Sequence, residues 1–201
     1  MIKNIIFDVG KVLVEWQPLV AMKKLGFDDE TAKAVAAATT DSPEWDVSDR
    51  SVLSDEEILA MLIGNAPEYE KEIRTFWENI SLPIYQYDYV REWIQGLKRK
   101  GYGVYILSNY GRWTYQNTTE ALSFLKDVDG AVFSFQVHQM KPEPEIYQTL
   151  LTKYDLKAEE CVFLDDRQVN IDGAKALGIE GIVFTSYEKA VQALRKYGVE
   201  A

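Results

Sequence analysis

The feature that most constrains the fold of this chain is a regular alternation of short apolar runs and amphipathic segments over residues 103–201. Apolar runs bounded by turn residues predict buried strands, and apolar residues recurring every three or four positions predict helices. Strands separated by helices pair in parallel, and a parallel sheet is covered by helices on both faces. The sequence therefore predicts an α/β fold with a doubly wound, Rossmann-like parallel sheet. The predicted strands are 3–8, 103–107, 131–135, 162–164 and 181–184, and the predicted core helices are 88–100, 114–125, 143–154, 170–177 and one that begins at Tyr187.

A long segment between the first strand and the helix at residue 88 shows helical patterns and no strand pattern. Ser54 and Glu57 have the spacing of a capping box, and Pro67 is suited to the first turn of a helix. We therefore expect residues 1–15 and 88–201 to form a core domain and residues 16–87 to form an inserted helical cap. The predicted cap helices are 18–25, 29–38, 54–63 and 67–80.

Composition narrows the class of protein. A chain of 201 residues with 47% hydrophobic content can bury a substantial core. The net charge of −10 argues against a nucleic-acid partner, since no basic cluster exceeds Lys98, Arg99 and Lys100. No apolar stretch has the length of a membrane span or a secretory signal, so we expect no membrane partner and a cytoplasmic location. The lone Cys161 is expected to be a buried apolar residue, and the oligomeric state is not determined by the sequence.

Polar residues lie at the ends of three of the predicted strands. Asp8 ends the first, Ser108 and Asn109 follow the second, and Asp165 and Asp166 follow the fourth. Parallel strands bring their carboxyl ends to one edge of the sheet, where α/β proteins bind ligands. Two strand-end acids on neighbouring strands offer hard oxygen ligands, so we expect a Mg²⁺ site there. Each residue also has a simpler interpretation, as a solvated acid, a helix N-cap or a turn residue.

Lys141 and Arg112 are candidate anion-binding residues. Lys141 precedes Pro142, which is suited to start a helix, and a cation near a helix N-terminus is well placed to bind phosphate. Arg112 comes shortly after Ser108 and offers a further anion contact. The simpler interpretations are a surface charge and a solvated helix start. His138, the only histidine, precedes a turn rather than following a strand, so a catalytic role is not favoured.

The sequence identifies the substrate-contacting residues of the predicted cap poorly. Trp16, Trp45, Arg50 and Trp77 are candidates because they fall in or beside that segment. Aromatic residues at helical spacing belong more often to a core than to a binding platform, and that is the favoured interpretation.

The order and setting of the strand-end residues resemble the four motifs of the haloacid dehalogenase superfamily. The resemblance covers residues 1–15 and 88–201, whereas 16–87 matches only in position, where members with a helical C1-type cap carry theirs. The motifs are carried by Phe7-Asp8-Val9-Gly10, Leu107-Ser108-Asn109, Met140-Lys141-Pro142-Glu143, and Leu164-Asp165-Asp166 with Asn170.

The resemblance implies a Mg²⁺-dependent phosphatase that acts on a small phosphorylated metabolite, with a sugar phosphate as the favoured substrate. Asp8 would attack phosphorus to give an aspartyl-phosphate, and water would then release phosphate. The implied metal ligands are Asp8, the Gly10 carbonyl and Asp166, the implied phosphate-binding residues are Ser108, Asn109 and the catalytic Lys141, and the implied supporting residues are Asp165 and Asn170.

Gly10 departs from the commoner family pattern. Most phosphatases of the superfamily carry a second aspartate two residues after the nucleophile, where it protonates the leaving group and later activates water. Glycine keeps the carbonyl but loses the acid, an omission that costs on the order of a hundredfold or more in rate. The chain is similar here to the bacterial glucose-1-phosphate phosphatase-like branch, which shares the Asp-x-Gly pattern. A sugar 1-phosphate suits such a site because its leaving oxygen needs less help from an acid.

Two other functions stay open. The first is a phospho-acceptor or ligand-binding protein, in which Asp8 holds a phosphoryl group without turnover. The second is a 2-haloacid dehalogenase, which shares the fold but uses its aspartate on carbon without a metal. Gly10 and the pair Asp165 and Asp166 favour phosphate, because the dehalogenases usually carry tyrosine two residues after the nucleophile.

Overall fold

The computed structural model describes residues 1–200, and its centre is a five-stranded, entirely parallel sheet in the order β3-β2-β1-β4-β5. Helices cover both faces, so the predicted doubly wound α/β fold is confirmed. The sheet comprises β1 (Asn4–Phe7), β2 (Gly103–Ser108), β3 (Gly130–Phe133), β4 (Cys161–Asp165) and β5 (Glu180–Val183).

The helices fall into two groups along the chain. Five lie between β1 and the helix that precedes β2, and the rest alternate with the strands. The first group is α1 (Pro18–Lys24), α2 (Asp29–Ala38), α3 (Glu44–Arg50), α4 (Asp55–Asn65) and α5 (Glu70–Glu78). The second is α6 (Val90–Arg99), α7 (Arg112–Asn117), α8 (Ser134–Val137), α9 (Pro144–Lys153), α10 (Gln168–Ala176) and α11 (Tyr187–Lys196).

The strand β1 lies at the centre of the sheet and is buried on both faces. Ile5 and Phe7 pack in the core formed with α6 and α11, whereas Ile6 packs in the core formed with α9 and α10. This alternation explains why β1 reads as a continuous apolar run. Cys161 at the start of β4 is fully buried, as predicted for a small apolar residue.

Pairing of β1 with β2 and β4 places the candidate site residues side by side. Phe7 is in register with Ile106 of β2 and with Leu164 of β4. The Asp8 N–H donates to the Leu164 carbonyl at 2.9 Å, which extends the ladder by one residue. The carboxyl ends of the three central strands therefore lie side by side at one edge of the sheet, where the strand order runs outward from β1 on both sides.

Residues 16–87 contain helices, turns and loops but no strand, and Gln86 forms an isolated bridge with Val14 outside the segment. A third apolar core lies within this helical segment, around Met22, Val35 and Phe76. The predicted capping box of Ser54 is present at the start of α4. That this segment acts as a cap stays a prediction. Within residues 1–200 no helix is long and apolar enough to cross a membrane.

Three local predictions were wrong. The single helix predicted over 114–125 is instead α7 followed by a 3₁₀ turn at Ser123–Asp127, and the Thr118 hydroxyl bonds the Thr114 carbonyl where α7 ends. The strand β3 ends before Ser134, which opens the short helix α8. Helix α3 was not predicted, because its seven residues show no helical apolar period.

Candidate active site

Asp8 and Lys141 form a buried ion pair at the end of β1. The Lys141 Nζ lies 2.8 Å from Asp8 Oδ1 and 2.6 Å from Asp165 Oδ2. Asp8 is 8% exposed and Lys141 3% exposed. An ammonium buried this deeply is tolerated only with close counter-charges, and here it has two. The loop before α9 therefore delivers a fixed positive charge to the strand ends.

The side chain of Asn109 holds Lys141 in place. Its Oδ1 accepts the Lys141 backbone N–H at 2.9 Å, and its Nδ2 donates to the Lys141 carbonyl at 3.0 Å. The loop after β2 is thereby tied to the loop that carries the lysine. Because its side chain is engaged in this way, Asn109 can offer only its backbone to a phosphate.

Asp165 is saturated by hydrogen bonds. Its Oδ1 accepts the Arg167 backbone N–H at 2.8 Å, and the Asn170 Nδ2 lies 3.0 and 2.9 Å from its two oxygens. Together with Lys141, these donors occupy both carboxylate oxygens of a fully buried residue. Asp165 therefore orients its neighbours rather than offering free lone pairs.

Carboxylate oxygens of Asp8, Asp165 and Asp166 lie within 4.8 Å of one another. Since Asp165 is saturated, Asp8 and Asp166 are left to face the cleft, and Gly10 lines the same cleft. The Asn170 Oδ1 is buried and has no hydrogen-bond partner among residues 1–200. Hard oxygen donors and an unsatisfied buried acceptor fit a hydrated divalent cation such as Mg²⁺.

Burial and neighbouring counter-charges have opposing effects on the pKa values of Asp8 and Lys141. Burial raises the pKa of Asp8 to about 6, although the Lys141 ammonium opposes the shift. Burial would lower the pKa of Lys141, but Asp8 and Asp165 outweigh it and hold that pKa above its ordinary value. Burial also raises the pKa of Asp166. The lysine thus stays charged, and Ser108 and Lys141 favour the ionised form of Asp8.

The strand ends open into a cleft of about 460 Å³ that the helical segment closes on its other side. Trp16 and Trp45 line it with ring centroids 5.9 Å apart. Three acids also line it from this side, and none was predicted from the sequence, because two lie on the unpredicted helix α3 and one lies in the turn before it. They are Asp41, Asp46 and Asp49.

Several predicted residues lie elsewhere. Arg112 is not among the described residues that line the cleft, because its guanidinium donates to Asp55 at 3.0 Å and to the Leu53 carbonyl at 2.9 Å. The predicted anion contact is therefore not formed in this arrangement. Trp77 is buried and stacks on Trp113, as expected of a core aromatic.

Arg50 and His138 likewise make structural contacts. Arg50 pairs with Glu143, and the His138 Nδ1 lies 2.8 Å from the Arg50 carbonyl. Neither lines the cleft among the described residues. Both join α3 to the loop that precedes α9.

This arrangement of strand-end acids, hydroxyl and lysine defines a class of protein that the comparisons identify. Residues 2–178 match the family model of the haloacid dehalogenase-like hydrolases, so the chain belongs to that family and is a hydrolase. The resemblance found in the sequence is thereby confirmed.

Relatives match over nearly the whole chain. The chain is 24% identical over 195 residues to a sesquiterpene phosphatase of Aspergillus oryzae, covering 96% of this chain and 95% of the relative. It is 29% identical over 193 residues to a D-ribitol-5-phosphate phosphatase of Bacteroides thetaiotaomicron, covering 90% of each.

A solved structure shares the fold. A HAD family enzyme of Bacteroides thetaiotaomicron, crystallised with magnesium and inorganic phosphate, superposes with a TM-score of 0.70. It is 19% identical and is matched over 94% of this chain and 99% of the other.

Proposed function

We propose that this hydrolase is a Mg²⁺-dependent phosphatase of small phosphorylated metabolites that works through an aspartyl-phosphate on Asp8. The observation that carries the proposal is the Asp8 carboxylate at the strand edge, with the Lys141 ammonium at 2.8 Å and the Asp166 carboxylate beside it. A carboxylate nucleophile next to a fixed cation and a second acid suits attack on a phosphate monoester.

Asp8 acts as the nucleophile, and Lys141, Ser108 and Asn109 bind the phosphoryl group. Asp8 forms a bond to phosphorus as the ester P–O bond breaks, and water then cleaves the acyl phosphate. Lys141, the Ser108 hydroxyl and the Asn109 backbone bind phosphoryl oxygens and stabilise the charge that develops there. Because Asn109 and Asp165 fix the lysine on both sides, this charge is oriented before substrate arrives.

Asp8, the Gly10 carbonyl and Asp166 would hold Mg²⁺, with Asp165 and Asn170 as supports behind them. When bound, the ion would neutralise phosphate charge and polarise a phosphoryl oxygen. The magnesium and phosphate in the related crystal structure support Mg²⁺ as the ion. Asp165 is assigned a supporting role because hydrogen bonds already occupy its oxygens. Asn170 is assigned one because it donates to Asp165 and because its buried Oδ1 has no partner in the described part of the chain.

Residues 16–87 would act as a cap that encloses the substrate, with the leaving group against Trp16, Trp45 and Ser42. A cleft of about 460 Å³ suits a small molecule. Hydroxyl and carboxylate groups on this side would bind a substrate rich in hydroxyls, so a sugar or sugar-alcohol phosphate is the favoured class. The relative named for D-ribitol 5-phosphate supports that class.

The test compares wild type with Asp8→Asn on a panel of phosphate monoesters with Mg²⁺ and with EDTA. We expect the substitution to lower kcat by at least about 1,000-fold, because it removes the nucleophile. Asp172→Asn is the matched control, since Asp172 is exposed on α10 and should leave activity unchanged. Equal activity of wild type and Asp8→Asn would refute the proposal.

Non-turnover phosphate binding keeps some support because Gly10 provides no acid. A single-turnover experiment with an activated phosphate donor separates it from catalysis. Rapid release of phosphate from Asp8 supports the phosphatase, whereas a stable phosphorylated protein, detected by intact mass, supports the acceptor. Release of chloride from 2-chloropropionate without Mg²⁺ would instead identify a dehalogenase.

A further inference from the structure

The position two residues after Asp8 leaves an unfilled space. A Cβ built on Gly10 meets no other atom within 4 Å, and Gly10 lines the cleft. No other described residue therefore fills the place that a side chain at position 10 would occupy. If the proposed phosphatase transfers a proton to its leaving group, another residue of the cleft has to supply it.

Asp49 on α3 is the cleft carboxyl group best suited to that task. Asp41 and Asp46 are exposed to solvent, and the Glu15 carboxylate accepts the Trp16 backbone N–H at 2.8 Å. Asp49 lines the cleft and is half-buried, so it is less exposed than Asp41 and Asp46. It therefore lies in the setting where an acid keeps a proton near neutral pH.

The groups that face Asp49 come from four elements. Burial raises the pKa of Asp49 to about 7, and Asp46 of α3 and Asp8 at the end of β1 add to the shift. Lys141 and the Gly111 backbone oppose it. A carboxyl group with such a pKa can donate a proton and take one back within the same cycle.

Contacts with the core hold Asp49 in position. Its backbone carbonyl accepts the buried Ser134 hydroxyl at 2.6 Å, and the Ser51 hydroxyl accepts the Arg112 N–H at 2.9 Å. A Cβ at Gly111 would lie 2.9 Å from the Ser48 carbonyl, so only glycine permits this approach. Hydrogen bonds therefore hold the end of α3 against the loops that surround Asp8, and the Arg112 backbone N–H donates one of them.

We propose that Asp49 is the general acid and base of this enzyme, in place of the side chain absent at Gly10. The inference rests on the proposed phosphatase function. In the first step protonated Asp49 gives its proton to the ester oxygen as the P–O bond breaks and Asp8 becomes phosphorylated. In the second step the Asp49 carboxylate takes a proton from the water that attacks phosphorus, which releases phosphate and restores both residues.

The first test uses the dependence on the leaving group. Asp49→Asn should lower kcat/KM for an alkyl phosphate such as glycerol 3-phosphate by about a hundredfold or more, because the alkoxide needs a proton. It should change kcat/KM for p-nitrophenyl phosphate by less than about threefold, because nitrophenolate leaves without one. Glu44→Gln is the matched control, since it removes a carboxylate at the start of α3 outside the cleft. An equal loss on both substrates, or no loss on either, would overturn the assignment.

The second test restores an acid at position 10. The open space at Gly10 accommodates a side chain, so Gly10→Asp and the uncharged Gly10→Asn can be compared. In the Gly10→Asp background, Asp49→Asn should lower kcat/KM for the alkyl phosphate by less than about tenfold. In the Gly10→Asn background, Asp49→Asn should lower it as much as in the wild type. The same loss in both backgrounds would overturn the assignment.

A pH profile provides a third readout. With the alkyl substrate, wild-type kcat/KM should fall as pH rises through about 7, because protonated Asp49 is lost, and this fall should disappear in Asp49→Asn. An identical fall in both proteins would count against the role. If the wild type hydrolyses no phosphate monoester at all, the phosphatase function itself is refuted.

Discussion

The two walls of the cleft are built in different ways. On the strand-end wall, Asp8, Lys141 and Asp165 are buried and joined by hydrogen bonds and ion pairs shorter than 3 Å. On the wall formed by residues 16–87, Asp41 and Asp46 are exposed and lie on or near the short helix α3. The reacting end of the substrate would thus meet buried, hydrogen-bonded groups, and the leaving group would meet more exposed ones.

The walls also differ in charge. The strand-end wall holds the buried Lys141, whereas every charged residue that 16–87 contribute to the cleft is an aspartate. A leaving group that carries its own negative charge would be repelled there. The comparison therefore suggests that the strand-end wall selects phosphate and the helical wall selects what is attached to it. The following predictions test this division, from the largest expected effect to the smallest.

Removal of the buried cation should have the largest effect. Lys141→Met leaves Asp8 and Asp165 buried without their counter-charge, so we expect a loss of about 3–5 kcal/mol in stability. We also expect a loss in kcat of about 100- to 1,000-fold, because one donor to the phosphoryl group is gone. Urea unfolding and steady-state kinetics measure the two effects. Lys153→Met, which removes an exposed lysine from α9, is the control, and a similar small effect of both substitutions would contradict the division.

Loss of a support behind the metal ligands should have an intermediate effect. Asn170→Ala removes the Nδ2 group that contacts both Asp165 oxygens and also the unpartnered acceptor, so we expect Mg²⁺ affinity to fall about 10- to 100-fold. Isothermal titration with Mg²⁺ measures this directly, without relying on turnover. Unchanged affinity would show that Asn170 only supports the fold, and Gln168→Ala on the exposed start of α10 is the control.

The acidic wall should discriminate against charged leaving groups by a smaller factor. We expect glycerol 3-phosphate to be hydrolysed with about fivefold higher kcat/KM than 3-phosphoglycerate, because one repulsive pair near the surface is worth about 1 kcal/mol. Asp46→Asn should reduce that ratio. A preference for the carboxylate-bearing substrate would show that this wall does not act through its charge.

The smallest expected effect is a pH-dependent gain in the stability of the Asp49→Asn variant over the wild type. The pKa of Asp49 is raised to about 7 in the folded protein, so the folded state keeps a proton that the unfolded chain loses near pH 4. Stability of the wild type should therefore fall as pH rises from about 4 to about 7. Asn at this position does not titrate, so Asp49→Asn should gain on the order of 1 kcal/mol relative to wild type between about pH 5 and about pH 8.

Urea unfolding in EDTA at the two pH values measures that gain. Glu44→Gln at the start of the same helix should show no such increase. An Asp49→Asn difference that is constant with pH would mean that Asp49 is ionised like a surface acid.

Much of the fold could be predicted because its signals are local. Apolar strands, amphipathic helices and the Ser54 capping box each depend on residues close together in the chain. The helix α3 could not be predicted, since its stability comes from contacts such as Asp49 with Ser134 rather than from an apolar period. Arg112 was misjudged for the same reason, because its partner Asp55 is distant in sequence.

The sequence by itself determined the strand-end wall. Asp8, Ser108 and Asp165 each follow or end an apolar strand, and parallel pairing necessarily gathers such positions at one edge. Only the tertiary structure decided the opposite wall, where α3 brings Asp49 into the cleft that Gly10 also lines. The physical reason is that strand periodicity fixes the first set of positions, whereas long-range hydrogen bonds to Ser134 and Arg112 fix the second.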